Sequence, residues 1–507
     1  MDQSDRAQIT ISLDQPTGNV WIDNGLVVLA RGLGEGEHAS EDVLYWLLER
    51  LVQKTGNKGE YYDEATGQIR EYEKVSWVYP TDRFIKVKGQ TDKVKVADQH
   101  YYSYPPRYEL RLKLSKRSQA CDMCGDEAPT TNCKMWMYPF IVDPGKFGNF
   151  YSGGKRGLRM CARCALAGLA GYLGWLWKAQ GGEALHFFVF HSQLRELERL
   201  HREVFEPLRL QGSRGGNVDV AFAGPYLHET TLGLFLRLFN HIHSSDQEAT
   251  PLAARAREHL ASLIGDVEQA PASPVTLYAV TGEPGQSFTM HAIWEFSKFQ
   301  WLYQLYQRWI ALFRDRGVGD PRQRVDQVLR QFQARQGGRL ETLWRDYVAR
   351  AVLSFADPLP VIVDFLFDAR AKEEVPKPLV WGTLDVLDHY AQEVLGMDDQ
   401  FQRTLAGFGH ALGNAAGDHE EMGLLYALRN SKNPEAFYRM LNDAQFRLDL
   451  TVPEGLLDMD TNRRIQGIAW TRVKTMLAIY AMNAFLRRRS SPTGGSSHPS
   501  NVAAKEA

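Results

Sequence analysis

Cysteine is scarce in this chain. Five occur in 507 residues, and all lie between positions 121 and 164. A secreted disulfide scaffold spreads an even number through a short chain, so that class is excluded. Four of the five form two Cys-x-x-Cys pairs, a pattern that points to metal. Long apolar runs are also missing. None approaches the roughly 18 residues of a membrane span, so no membrane partner is expected. The first residues are polar (Asp2, Ser4, Asp5, Arg6) with no signal-peptide apolar stretch, so a cytoplasmic location is expected. An excess of one charge is absent too: the net charge is −2. Any surface for nucleic acid must therefore be local. The Gly-x-Ser-x-Gly, Gly-x-Gly-x-x-Gly, Walker A and His-Asn-His patterns do not occur, and no other constellation argues for catalysis, so a non-enzymatic protein is expected.

What is present begins with the pairs Cys121-Asp122-Met123-Cys124 and Cys161-Ala162-Arg163-Cys164. Each can form a turn that aims two sulfurs at one ion. Four thiolates hold Zn²⁺ as a closed tetrahedral site, which is structural and leaves no position for substrate. Structural Zn²⁺ on Cys121, Cys124, Cys161 and Cys164 is the expectation. Cys133 has no partner at that spacing and is left out. A zinc deaminase is excluded, because His100 is followed by Tyr101 and Tyr102 rather than by the His-x-Glu element. Thirty-six residues separate the pairs, enough for an insert with a task of its own.

Cations gather on either side of the first pair. Residues 83 to 117 hold ten Lys or Arg and three Asp or Glu. Stretches 84–88, 93–96 and 110–114 alternate, which predicts strands with Lys86, Lys88, Arg111 and Lys113 on outward faces. Tyr101, Tyr102, Tyr104 and Tyr108 are interleaved, and cations with aromatics suit phosphate contact and base stacking. Between the pairs, Gly145 to Gly157 is rich in glycine and carries Lys146, Asn149, Tyr151, Lys155 and Arg156, a candidate loop for a nucleic-acid backbone. A solvated charged face and a hairpin tip are the plainer alternatives.

Elsewhere, 9–13 reads as a strand and 40–54 as an amphipathic helix with Val43, Leu44, Leu47, Leu48 and Leu51 on one face. A small-residue helix is expected at 161–178. Buried strands are expected at 184–190 and 274–280, each followed by a helix, the second an aromatic-rich one at 290–313. From about 320 onward only helices are expected. Leu424, Leu425 and Leu428 form one stripe and Phe437, Met440 and Leu441 another. Asn433-Pro434-Glu435 reads as a helix start. The last helix, 461–487, carries Arg463, Arg464, Arg472 and Lys474, further candidates for nucleic-acid contact. The fold class is α+β: a mixed N-terminal domain with a four-cysteine zinc-binding insert, and an all-helical C-terminal bundle. The expected divisions are 1–120, 121–164, 165–318, 319–489 and a Ser/Gly/Pro-rich tail, 490–507.

Thr17-Gly18-Asn19-Val20-Trp21-Ile22-Asp23-Asn24-Gly25 resembles the Gly-Asn-x-Phe-x-Asp-x-Gly opening of large subunits of type I CRISPR Cascade complexes, in the I-A/I-B branch of the Cas-eight family, with Trp21 in place of Phe. The order that follows is similar as well: a Cys pair, Tyr138-Pro139-Phe140, Asn149-Phe150-Tyr151-Ser152-Gly153-Gly154-Lys155, the second pair, and a small-residue helix. The resemblance covers roughly the first 180 residues. It implies a subunit of a crRNA-guided complex that reads a short protospacer-adjacent motif in target double-stranded DNA, promotes unwinding and R-loop formation, and supports the displaced strand. It also implies partners: crRNA, Cascade backbone and handle-binding subunits, and a helicase-nuclease or transposition apparatus. Small subunits could come from the chain's own C-terminal region, with Met397 or an upstream non-Met codon as an internal start. A standalone zinc-ribbon nucleic-acid enzyme and a protein-only scaffold are the competing readings.

Overall fold

Asn19 starts the helix on which the N-terminal half is built. Its side-chain oxygen accepts from Trp21 N at 3.0 Å and Ile22 N at 3.2 Å, satisfying two donors of the first turn. The structure is a computed structural model. It describes residues 7–77, 87–88, 93–105, 107–108, 110–134, 136–140, 157–180, 183–210, 217–242, 276–284, 288–296, 298–336 and 338–490. The chain divides into two compact units, Met1–Tyr303 and Gln304–Ala507.

In the first unit, β1 (Gln8–Ile11) precedes α1 (Val20–Leu33) and pairs antiparallel with β2 (Gly36–Ala39). The expected alternation holds, with Ile9, Ile11 and Leu13 buried. Helix α2 (Ser40–Leu51) follows and buries Val43, Leu47 and Leu51. It ends three residues before the expected limit, because the chain turns there into β3 (Val52–Asp63). β3 forms a long hairpin with β4 (Gln68–Trp77). β5 (Lys93–Val96) and β6 (Gln99–Tyr102) complete a four-stranded sheet in the order β4-β3-β6-β5. The stretch 110–114 is irregular rather than a strand: its alternation finds no partner strand among the described residues.

Three short strands carry the cysteines: β7 (Ser118–Ala120), β8 (Glu127–Asn132) and β9 (Arg159–Cys161), in the order β9-β8-β7. Helix α3 (Ala162–Gly174) runs straight from β9 and stops four residues short of the expected end, giving way to β10 (Leu176–Gln180). β11 (Glu183–Phe190), α4 (Leu194–Leu200) and α5 (Leu227–Ile242) follow. β12 (Thr276–Pro284) and β13 (Phe288–Phe296) close an antiparallel sheet in the order β10-β11-β12-β13. The helix expected at 290–313 is thus strand β13 followed by α6 (Phe299–Asp315). Phe288 to Phe296 is rich in aromatic and β-branched residues, and pairing with β12 overrides the helical spacing of its aromatics. Tyr303, Tyr306 and Trp309 are core, whereas Trp301 is half exposed.

The second unit is mainly helical: α7 (Pro321–Arg330), α8 (Leu343–Ser354), α9 (Leu359–Asp364), α10 (Thr383–Glu393), α11 (Asp399–Asp418), α12 (Met422–Asn430), α13 (Pro434–Leu448) and α14 (Trp470–Ser490). Two small hairpins interrupt it, Ala334–Gln336 with Arg339–Glu341 and Arg464–Ile465 with Ile468–Ala469. Both apolar stripes of α12 and α13 are buried. Asn433 caps α13 through Ala436 N at 2.8 Å, with Pro434 at the first helical position. The last helix starts at Trp470 rather than 461, because 464–469 is spent on a hairpin whose turn takes positive φ at Gln466 and Gly467. From Val473 to Leu486 almost every residue of α14 is buried, so it is a central helix and not an amphipathic surface one.

Candidate metal centre

The strand order β9-β8-β7 brings the two Cys pairs to one end of a small sheet. Cys121 follows β7 directly, and Cys161 ends β9 opposite Thr130 of β8. Cys121 N donates to Asp126 O at 2.9 Å and Gly125 N to Cys121 O at 2.8 Å, which closes the first turn. Gly125 sits at φ +82°, a conformation that favours glycine. The second pair is set by a helix terminus: Cys161 is the N-cap of α3, and its sulfur accepts from Cys164 N at 3.5 Å. Cys161 N donates to Cys121 Sγ at 3.3 Å, tying the two turns together.

The sulfurs of Cys121, Cys124, Cys161 and Cys164 all lie within 4.8 Å of one another. Cys124 Sγ and Cys161 Sγ are 3.9 Å apart. Four thiolates about 2.3 Å from a tetrahedral Zn²⁺ stand about 3.8 Å from each other, so this spacing suits a metal of that size. Cys121, Cys161 and Cys164 are buried and Cys124 partly so. Hydrogen bonds from the Cys161 and Cys164 thiols hold Cys121 far below the usual thiol range. Burial pushes Cys124 up to about 12, and the bonds to Cys121 and Cys161 push Cys164 higher still. A bound dication would supply the positive charge that four clustered thiolates need. The four cysteines can hold a metal ion, and this is the metal-capable cluster among the described residues. Cys133 stands outside it, with its thiol pushed to about 12 by burial. His410 and Asp418 to Glu421 form no such cluster: Asp418 pairs with Arg488 and Glu421 with Arg447.

Sequence reasoning missed the groups around the sulfurs. Asp126 Oδ2 lies 3.2 Å from Cys124 Sγ, and Arg163 reaches both Asp126, at 4.0 Å, and Gln15 O. Asp122 Oδ2 accepts from Arg159 N at 2.7 Å, which fastens the first turn to β9. Asp122 and Arg163 occupy the x positions of the pairs, so their place was visible although their partners were not.

The Thr17–Gly25 segment packs directly against this centre. Asp23 is buried and accepts from Thr17 N and Thr17 Oγ1 at 2.8 Å and from Gly18 N at 3.0 Å. Burial raises its carboxyl, and those hydrogen bonds pull the other way. Asn19 Nδ2 approaches Met123 Sδ of the first turn at 3.8 Å and Tyr138 Oη at 3.4 Å. Asn24 Nδ2 donates to Val20 O and Val189 O, and Asn24 Oδ1 lies 2.6 Å from His201 Nε2. A Cβ on Gly25 would fall 1.7 Å from Ala167 O, so α1 and α3 touch backbone to backbone. Around them Trp21, Phe140, Tyr172, Trp175 and Phe188 stack mainly edge to face.

Arg111 and Lys113 are exposed on an irregular segment. Lys88 lies in a two-residue strand opposite Arg107. Lys86, Lys146, Asn149, Tyr151, Lys155 and Arg156 lie outside the described residues. Arg463 and Arg464 are exposed beside the last hairpin. Arg472 and Lys474 face protein: Arg472 pairs with Asp357 at 2.9 Å, and Lys474 donates to Arg429 O at 3.0 Å and Ser431 O at 2.8 Å. Lys474 therefore serves the C-terminal carbonyls of α12. No protein-family model matches the chain, and no curated protein matches it.

Proposed function

We propose that this chain is the large, non-catalytic subunit of a crRNA-guided type I CRISPR surveillance complex, and that Cys121, Cys124, Cys161 and Cys164 hold a structural Zn²⁺. In this role it reads a short motif beside the target in duplex DNA, helps open the duplex, and supports the displaced strand. One observation supports the reading: the sequence pieces that resemble the family interlock where they fall among the described residues, with 149–155 outside them. Asn19, Trp21 and Gly25 meet Met123, Met137, Tyr138 and Ala167, partners more than 100 residues away in sequence. Motifs that are merely coincidental have no reason to share one core. The metal then acts as a brace, since a closed four-sulfur site offers substrate no position. The loop between the pairs, with Lys155 and Arg156, is the part of the insert proposed to meet DNA.

The test is binding by the complex assembled with its guide and backbone subunits. Association with a matched duplex should collapse when the short flanking motif is scrambled. Indifference to the motif overturns the reading. Lys155→Ala with Arg156→Ala should weaken binding and flatten its salt dependence.

A further inference from the structure

The sheet β4-β3-β6-β5 has an unusual composition. From Val52 to Pro105 none of the described side chains is fully buried, so this sheet is not a core layer. Its two faces differ. The register places Tyr61 opposite both Arg70 and Tyr102, Gly59 opposite Tyr72, and Tyr102 opposite Lys93. Alternation along each strand then collects Tyr61, Tyr72 and Tyr102 on one face, with Arg70, Lys74, Lys93 and Lys95 around them. Ring and charge contacts agree: Tyr61 and Tyr72 rings are 6.3 Å apart, and Lys93 Nζ lies 5.4 Å from the Tyr102 ring centre. Gly59 leaves room for Tyr72, whose ring a Cβ there would meet at 2.7 Å. Arg70 and Lys95 also pair with Asp63 and Asp98 beside the turns. The opposite face carries Glu60, Glu71 and Glu73 against Lys54 and Lys58.

We infer that the tyrosine face of this sheet is a stacking platform for single-stranded DNA. Three partly exposed rings within a frame of four cations match the two needs of a single strand, π-faces for bases and positive charge for phosphates. On the reverse face Lys54 and Lys58 are paired with Glu73 and Glu71, which leaves no excess of cations there for phosphates. In the proposed complex the strand set free is DNA, and the inference rests on that reading for the choice of DNA over RNA.

The experiment uses the full chain and fluorescence anisotropy with a labelled oligodeoxythymidine of about 20 nucleotides, long enough for the groove sizes such proteins use. Tyr72→Leu with Tyr102→Leu should weaken binding about tenfold or more, while Tyr62→Leu with Tyr101→Leu on the reverse face leaves it unchanged. Lys74→Gln with Lys93→Gln should lower the salt slope by about 1.4, and decides the matter if the tyrosine variant fails to fold. Equal losses on both faces, no loss with either platform variant, or tighter binding of a matching oligouridine overturn the inference. A chain that ignores the oligonucleotide while its assembled complex still requires the flanking motif overturns the platform and leaves the proposed function standing.

Discussion

The indole N–H of Trp21 donates to Gly168 O at 2.8 Å and to Met137 O at 3.1 Å. One side chain of α1 thereby joins the helix capped by Cys161 to the segment that follows the first Cys pair. The resembled motif has phenylalanine here, and phenylalanine lacks that N–H. Trp21→Phe should keep the fold and cost about 1–3 kcal/mol, the range for leaving buried acceptors unpaired. Trp21→Ala should cost about 3–5 kcal/mol. Denaturant midpoints of the N-terminal transition measure both.

Glycines separate two kinds of helix position. Gly25→Ala and Gly168→Ala set a methyl against backbone oxygens, at 1.7 Å from Ala167 O and 2.1 Å from Met137 O. Each should destabilise by about 1–3 kcal/mol or more through overpacking. Gly407 in α11 faces open space, so Gly407→Ala should stabilise by about 0.5–1 kcal/mol. Midpoint shifts of opposite sign are the expected result.

Burial pushes His186 and His201 down to about 3. Unfolded, each takes up a proton near pH 6.5. Below that pH the unfolded chain binds protons that the folded one refuses. Stability from these two groups is therefore complete above about pH 6.5 and is lost as pH falls toward 3, at up to about 1.4 kcal/mol per unit for each. His201→Gln, which retains a donor for Asn24, should make the acid limb shallower by about one proton in a series of denaturant midpoints against pH.

An internal product beginning at Met397 would contain α11 to α14 and lose partners that α14 uses. Tyr480 Oη donates to Asp388, Asn483 Oδ1 accepts from Leu379 N at 2.7 Å, and Arg472 pairs with Asp357. All three partners precede Met397. A 397–507 fragment should be loosely packed, with weak near-ultraviolet dichroism, whereas 304–507 folds cooperatively. If an internal product exists, intact-mass spectrometry of the complex should place its start upstream of Asp357.

The cysteine cluster was legible because its spacing is nearly its geometry. The stripes Leu424, Leu425, Leu428 and Phe437, Met440, Leu441 were legible because burial there follows helical period. Strands β3 and β4 were not. With no buried residue on either face, Lys54 to Lys74 shows no apolar alternation, and cross-strand pairs such as Lys58 with Glu71 take its place. Arg472 and Lys474 looked like a basic surface because sequence gives charge without direction. Their partners, Asp357 and two carbonyls of the α12 terminus, are 115 and about 45 residues away. The grouping of Tyr61, Tyr72 and Tyr102 needed the strand register, which composition does not carry.

X-ray absorption of the purified chain tests the central claim most directly. The expected result is about one zinc per chain surrounded by four sulfurs near 2.3 Å, unchanged in Cys133→Ser and lost with the fold of the N-terminal unit in Cys121→Ser with Cys161→Ser. A metal-free chain that stays folded, or zinc held by nitrogen or oxygen ligands, would contradict it.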